Sequence, residues 1–229
     1  EGAIQHARRI LVLGAGLTGR QVSVLRAYAK YMRQTGVSFS QSYIEETLTR
    51  YPDIAELLFT LFDLRLNPAI KQDAKAPSQD AKALAKLHEQ LVAKLDQVAN
   101  LDDDRIIRRY MEMIDATLRT NYYQPDQEGQ PKPYISFKLA PSSITDMPLP
   151  LPKFEIFVYS PRVEGVHLRW GKVARGGLRW SDRKEDFRTE VLGLVKAQQV
   201  KNTVIVPVGA KGGFYCKQMP VGAPRAVIQ

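Results

Sequence analysis

The sequence predicts a mixed fold, with helices over roughly the first 120 residues and an α/β region after them. Two patterns predict it. Apolar residues recur at spacings of three and four through the first half, the stripe of amphipathic helices, whereas from residue 121 prolines and glycines separate short alternating or β-branched runs. Composition sets the frame: 229 residues with 44% hydrophobic and 25% charged side chains suit one or two globular domains and exclude disordered, collagen-like and coiled-coil chains.

Taken in order, Val22, Leu25, Tyr28, Ala29 and Met32 form the first helical stripe, and Ile54, Leu57, Leu58, Leu61 and Phe62 the second. An Ala/Lys/Asp/Gln-rich stretch around Pro77 reads as a solvated connection to a third stripe, Leu84, Leu87, Leu91, Leu95 and Val98. The fourth runs through Ile106, Ile107, Tyr110, Met111, Ile114 and Leu118, after Asp102, Asp103 and Asp104, acids that suit an N-cap and the positive end of a helix dipole. Pro125, Gly129, Pro131 and Pro133 then break the helical pattern. Residues 134–139 alternate as a strand, 141–152 form a proline-punctuated connection, and 154–159 and 166–170 read as further strands. Residues 175–180 hold a Gly-containing turn that can lead into another strand, 186–201 have helical spacing, and 203–208 are a β-branched run ending in a Gly-rich loop. No internal repeat is present, and the natural cut falls near residue 121.

The net charge of +9 is unevenly placed: +3 over residues 1–100, −2 over 101–150 and +8 over 151–229. Such an excess suits nucleic acid, an anionic surface or a small acidic substrate. No nucleic-acid motif accompanies it, and no apolar run approaches the ~20 residues of a membrane span, so neither nucleic acid nor membrane is expected as a partner. The single cysteine, Cys216, cannot form an internal disulfide, which favours the cytoplasm. No signal-peptide pattern opens the chain. It starts on Glu1 rather than Met and stops at Val-Ile-Gln, and is expected to be an excised or processed piece of something longer.

Gly14-Ala15-Gly16-Leu17-Thr18-Gly19 fits the dinucleotide-binding pattern G-x-G-x-x-G behind a short apolar run. In a true site the glycines let the backbone approach a pyrophosphate at a helix N-terminus. The context fails, because nothing acidic occurs between Gly19 and Glu45 and helix follows helix rather than β-α-β. The segment reads as a helix start whose glycines permit a turn.

Chemistry is concentrated later, in Arg175-Gly176-Gly177-Leu178-Arg179, in Gln198 and Lys201, and in Val208-Gly209-Ala210-Lys211-Gly212-Gly213. A lysine among small residues, in a loop behind a buried strand, leaves open backbone for a small substrate. In a low-dielectric setting beside other cations a lysine can also serve as acid or base near neutral pH. Arg175 or Arg179 with Lys201 suits carboxylates, a guanidinium offering a planar fork and an ammonium a compact charge, so a dicarboxylate fits the set. Each piece alone has a plainer reading: a turn at Gly-Gly, a dipole-complementing Lys201, a solvated loop lysine.

The block VARGGLRWSDRKEDFRTEVLGLVKAQQVKNTVIVPVGAKGGF, residues 173–214, resembles the glutamate dehydrogenases, most closely the very large NAD-specific bacterial class. The family pattern is Lys-Gly-Gly-x-Arg, a helix ending in lysine with glutamine three before it, then Gly-Gly-Ala-Lys-Gly-Gly. The resemblance implies that Lys211 is the catalytic lysine, that Lys201 and Gln198 bind the substrate α-carboxylate, that Arg175 meets the side-chain carboxylate, and that Gly176 and Gly177 belong to the substrate-binding residues. Arg175 stands where the family has lysine, and Val208 where it has the first glycine of the lysine loop.

The implied reaction is oxidative deamination of glutamate by NAD to 2-oxoglutarate and ammonia. Lys211 would stabilise developing charge and assist water, and an aspartate beyond residue 229 would carry protons; Asp182 and Asp186 precede the lysine loop and are not promoted to that role. The implied domains are a helical regulatory or assembly region over 1–120 and the first part of the substrate-binding domain over 121–229. The latter would be incomplete, with no Rossmann domain in the chain, so NAD would bind after residue 229. The whole protein is expected to be a homo-oligomer, and these 229 residues alone to be inactive.

His6 and His167 lack metal-ligand spacing and His88 sits on a polar helix, so no metal is expected. Cys216 reads as a buried, inert thiol, and Trp170, Trp180 and Phe187 as core or pocket wall. The competing reading is a non-catalytic basic binding or assembly module.

Overall fold

The computed structural model describes residues 11–73, 77–171, 176–201 and 209–218, with the side chains of 71–80 and 198–201 outside the description. Helices come first, as predicted: α1 (Gly19–Gln34), α2 (Gln41–Arg50), α3 (Pro52–Leu66), α4 (Pro68–Asp73), α5 (Pro77–Leu95) and α6 (Leu101–Asp115). Strands follow: β1 (Thr117–Thr120), β2 (Ile135–Leu139), β3 (Phe154–Tyr159), β4 (Val163–Arg169) and β5 (Leu178–Trp180); helix α7 (Phe187–Lys201) then leads to β6 (Ala210–Cys216). The sheet order is β1-β2-β3-β4-β6-β5, antiparallel except for the β5–β6 pair, which α7 connects in parallel. The predicted mixed class holds.

Local chemistry accounts for the helix ends. Thr18 caps α1 with a capping box, its hydroxyl accepting from the Gln21 N–H while Gln21 Oε1 accepts from the Thr18 N–H. Asn100 caps α6 by accepting from the N–H groups of Asp102 and Asp103. Of the stretch around Pro77, expected to be a connection, the part from Pro77 on is the start of α5, where a missing N–H costs nothing in the first turn, and residues 74–76 lie outside the described residues. Helix α2 has no counterpart among the predicted stripes, because it buries only Ile44, Thr47 and Leu48.

The fourth stripe ends earlier than predicted. Helix α6 stops at Asp115, and Leu118, counted with that stripe, lies in β1 and is 44% exposed. Thr117 explains the change, since it pairs with Leu139 and its Oγ1 lies 2.7 Å from the Tyr28 hydroxyl, so sheet pairing overrides the helical spacing.

Helices and sheet share one core. Ile135, Phe137 and Leu139 of β2, Phe157 of β3, and Val166 and Leu168 of β4 are buried together with the α1 side chains Leu25, Tyr28 and Met32. Tyr28 stacks on Phe137 with ring centres 4.2 Å apart, and Tyr31 meets Phe157 at 5.3 Å. Such buried rings each stabilise the fold by about 1.5–3 kcal/mol.

One polar group is as buried as these rings. Arg188 of α7 and Glu155 of β3 have side chains of 0% exposure and form a two-pronged pair, Nε to Oε1 at 2.6 Å and a terminal nitrogen to Oε2 at 2.9 Å. Gln34, at the end of α1, accepts from the Arg188 N–H at 3.0 Å and donates to the Lys184 carbonyl at 3.1 Å. Replacing Glu155 by Gln leaves the guanidinium buried without a counter-charge, and urea unfolding is expected to show a loss of about 3–5 kcal/mol. The double replacement Glu155→Leu with Arg188→Met should cost less than Glu155→Gln, because neither charge then remains to be desolvated.

Candidate functional site

Lys211 is the second residue of β6, directly opposite Leu168 of β4. Cross-strand partners share a face of the sheet, and Leu168 is fully buried on the side of the helices, so Lys211 lies on that side as well. Gly213, two residues on, agrees: a Cβ there would come within 2.5 Å of Val191 Cγ2 on α7. Lys211 is half-buried, and its ammonium has no hydrogen bond or ion pair among the described residues.

The expected loop around this lysine is therefore a strand. The physical reason is the glycine pair that follows. Gly212 faces the other way, where a Cβ would lie 2.4 Å from Leu178 Cδ2 and 3.0 Å from His167 Cδ2, so the absence of side chains lets the backbone lie between neighbours on both faces. The preceding run at 203–208, Val208 included, lies outside the described residues.

The Gly-Gly turn sits against the same strand. Gly177 accepts a hydrogen bond from the Gly212 N–H at 3.2 Å, and a Cβ on Gly176 would fall 1.6 Å from the Ala210 carbonyl oxygen. No residue with a side chain fits position 176 in this arrangement. The Ser181 N–H then donates to the Phe214 carbonyl at 2.8 Å, which continues the parallel ladder past β5.

Glu190, in the first turn of α7, braces this segment. One of its oxygens accepts from the Ser181 hydroxyl at 2.6 Å and the other lies 2.7 Å from Arg179 Nε. Arg179, expected with Arg175 as a possible carboxylate partner, is thus already paired. That pairing depends on how α7 crosses β5, and sequence spacing does not signal it.

Gly176, Gly177 and Lys211 are brought together. Gln198 and Lys201 are in the last turn of α7, which packs on the Lys211 face and, as the connection between two parallel strands, runs antiparallel to β6. Its C-terminal end therefore lies toward the end of β6 that carries Lys211. Side chains at 198 and 201, and the whole of Arg175, lie outside the described residues.

The glycine-rich segment at 14–19 does not fit a dinucleotide. Residues 11–14 are helical rather than a strand, Leu11 and Leu17 are in the core, and the N-terminus of α1 is occupied by its own Thr18 and Gln21. Gly16 supplies the turn with φ of +64°. No group of three His, Cys, Asp or Glu side chains suited to a metal occurs among the described residues. His88 lies 3.3 Å from Asp115, and burial, then Arg169, lowers the pKa of His167. Cys216, expected to be buried, is half-buried on β6. Phe187 is core, whereas Trp170 and Trp180 are half-buried. His6 lies outside the described residues.

A mixed sheet with a Gly-Gly turn seated on a lysine-bearing strand, and a crossover helix on the face that carries the lysine, defines an α/β domain segment. Residues 90–229 match the family described as bacterial NAD-glutamate dehydrogenase, catalytic domain, and residues 10–68 match glutamate dehydrogenase, helical motif 3. The chain is 57% identical over 219 residues to the NAD-specific glutamate dehydrogenase of Halomonas elongata, covering 96% of this chain and 13% of that protein. It is 58% identical to the NAD-specific glutamate dehydrogenase of Pseudomonas aeruginosa, with the same coverage, and 53% identical to that of Mycobacterium tuberculosis, covering 94% of this chain and 13% of that protein. The chain belongs to the bacterial NAD-glutamate dehydrogenase family, and it spans about 13% of the length of these relatives.

The Gly176→Ala substitution should lift the turn from β6. The expected result is a loss of about 1–3 kcal/mol in chemical denaturation, the range for forced overpacking, together with faster amide exchange at Gly212, whose N–H loses the Gly177 carbonyl.

Proposed function

We propose that this chain is part of an enzyme catalysing NAD-dependent oxidative deamination of L-glutamate to 2-oxoglutarate and ammonia, and that it supplies the substrate side of the active site. The observation that carries this reading is the seating of Gly176 and Gly177 on the Lys211 strand, inside the stretch matched to a glutamate dehydrogenase catalytic domain. The turn leaves backbone free of side chains beside a half-buried ammonium that has no partner among the described residues. A fixed cation in a partly desolvated site stabilises negative charge that develops on a reacting oxygen, and assists a water molecule in its attack.

In this reading Gln198 and Lys201 take the α-carboxylate and Arg175 the side-chain carboxylate, with Gly176 and Gly177 among the substrate-binding residues. NAD binds outside these residues, in accord with the misfit of the segment at 14–19. Residues 1–120 act in regulation or assembly of a homo-oligomer, and 121–229 are the first part of the substrate-binding domain. Because the two stretches share a core, the helical part acts as a layer packed on the catalytic sheet. The protein works in the cytoplasm on small molecules. No helix of the described residues is long and apolar enough to cross a membrane.

In the full-length protein, Lys211→Met should lower kcat for glutamate-dependent NAD reduction by about 100-fold or more with the fold intact by circular dichroism, as expected for loss of a positioned acid–base group. Retention of more than a tenth of the activity would remove Lys211 from the chemistry. The 229-residue chain expressed alone should give no glutamate-dependent NADH signal above the buffer rate. Turnover near the full-length rate would show that the cofactor site lies within it.

A further inference from the structure

The second face of the sheet carries charge that no ion pair among the described residues answers. The register places Arg119 opposite Lys138, Lys138 opposite Ile156, and Phe154 opposite Arg169. Partners across strands share a face, and here it is the one turned away from buried Phe137, Phe157 and Leu168. Lys138 Nζ lies 4.2 Å from the centre of the Phe154 ring, and Lys153 Nζ lies 5.9 Å from it. Arg169 donates to His167 Nδ1 at 3.0 Å.

Among the described residues, none of Arg119, Lys138, Lys153 and Arg169 takes part in an ion pair. Like charges directly opposite on neighbouring strands are destabilising. Partial burial first, then Arg119 and Arg169, lowers the pKa of Lys138.

We infer that this face is a docking site for an acidic amphipathic polypeptide helix, which lays its apolar side on Ile156 and Val158 and aims Asp or Glu side chains at Lys138, Lys153, Arg119 and Arg169. The dimensions suit it. From Arg119 on β1 to His167 on β4 the patch crosses three strand spacings, about 14 Å, close to the ~10–12 Å diameter of one helix with its side chains. Ile156 and Val158 continue along β3 as a half-buried apolar strip, which suits a polypeptide helix better than a polyanion. A nucleic acid would need the Phe154 ring for base stacking, and the Lys138 ammonium already lies over it. Pairing of this face with the same face of a second copy would set cations against cations.

The test is made on the full-length protein in its native assembly, by zero-length carbodiimide coupling of amines to carboxylates followed by peptide mass mapping. Lys138 or Lys153 should couple to an Asp or Glu in one defined helical segment outside the sheet. Coupling of Lys153 to that segment should fall at least tenfold in the Lys138→Glu/Arg169→Glu variant and persist in Lys138→Arg. The coupling in the unsubstituted protein is read directly, so the result does not depend on the variants folding. Free acetylation of both lysines in the assembly, with no coupling, would overturn the inference. So would loss of the coupling to a competing single-stranded oligonucleotide that cross-links to Phe154, which would assign the face to nucleic acid.

Discussion

The buried pair of Arg188 and Glu155 is the constraint on which the rest of the structure depends. Two charges removed from water are costly unless each meets the other in good geometry, and the two-pronged contact supplies that geometry, with Gln34 accepting from the Arg188 backbone and Arg188 Nη1 left buried without a hydrogen-bond partner among the described residues. The pair ties together the end of α1, the middle strand β3 and the first turn of α7. Tyr31 lies beside it, its phenol pushed well up by burial. Once α7 starts there, Val191 falls over Gly213 and Glu190 reaches Arg179 and Ser181, so the position of the Gly-Gly turn on the Lys211 strand follows from an ion pair that touches neither.

The sheet then has two faces with different physics. On the helical face most charges are answered: Arg188 by Glu155, and Lys217 by Glu164 at 2.6 Å. Lys211 is the exception there, half-buried with its ammonium unpaired among the described residues, in keeping with the proposed role at a developing charge. On the opposite face the cations around Phe154 form no ion pair among the described residues. The +8 of residues 151–229 therefore does not all belong to the proposed dicarboxylate site, since Lys153 and Arg169 stand on the far side of the sheet from Lys211.

Much of the fold is legible in the sequence because long amphipathic stripes and alternating strands are local patterns. The stripe of Val22, Leu25, Tyr28, Ala29 and Met32 appears as α1, and the alternation over 154–159 as β3. What could not be read was decided by partners distant in the chain. Leu118 continues a helical spacing, yet Thr117 pairs with Leu139 and bonds Tyr28, so the segment is a strand. Helix α2 has too few apolar residues to announce itself and is held in part by the side chains of Thr47 and Arg50 on Asp103, far away in sequence. Lys211 among glycines reads as a loop, but those glycines are there so that a strand can lie between Leu178, His167 and Val191.

By itself, then, the sequence determined the order of helix and strand, the concentration of basic charge in its last third, and a block of residues specific enough to imply the family and the roles of Lys211, Gly176 and Gly177. Local periodicity and residue type suffice for the first two, because they depend on neighbours a few positions away, whereas the family and those roles are what the resemblance of residues 173–214 implies. Only the tertiary structure decided that Arg179 is paired with Glu190, that Lys211 lies in a strand on the helical face, and that the remaining cations of β1 to β4 gather on the other side. Each of these rests on strand register and on the burial of Arg188 with Glu155, contacts between residues far apart in the chain whose geometry exists only once the core has formed.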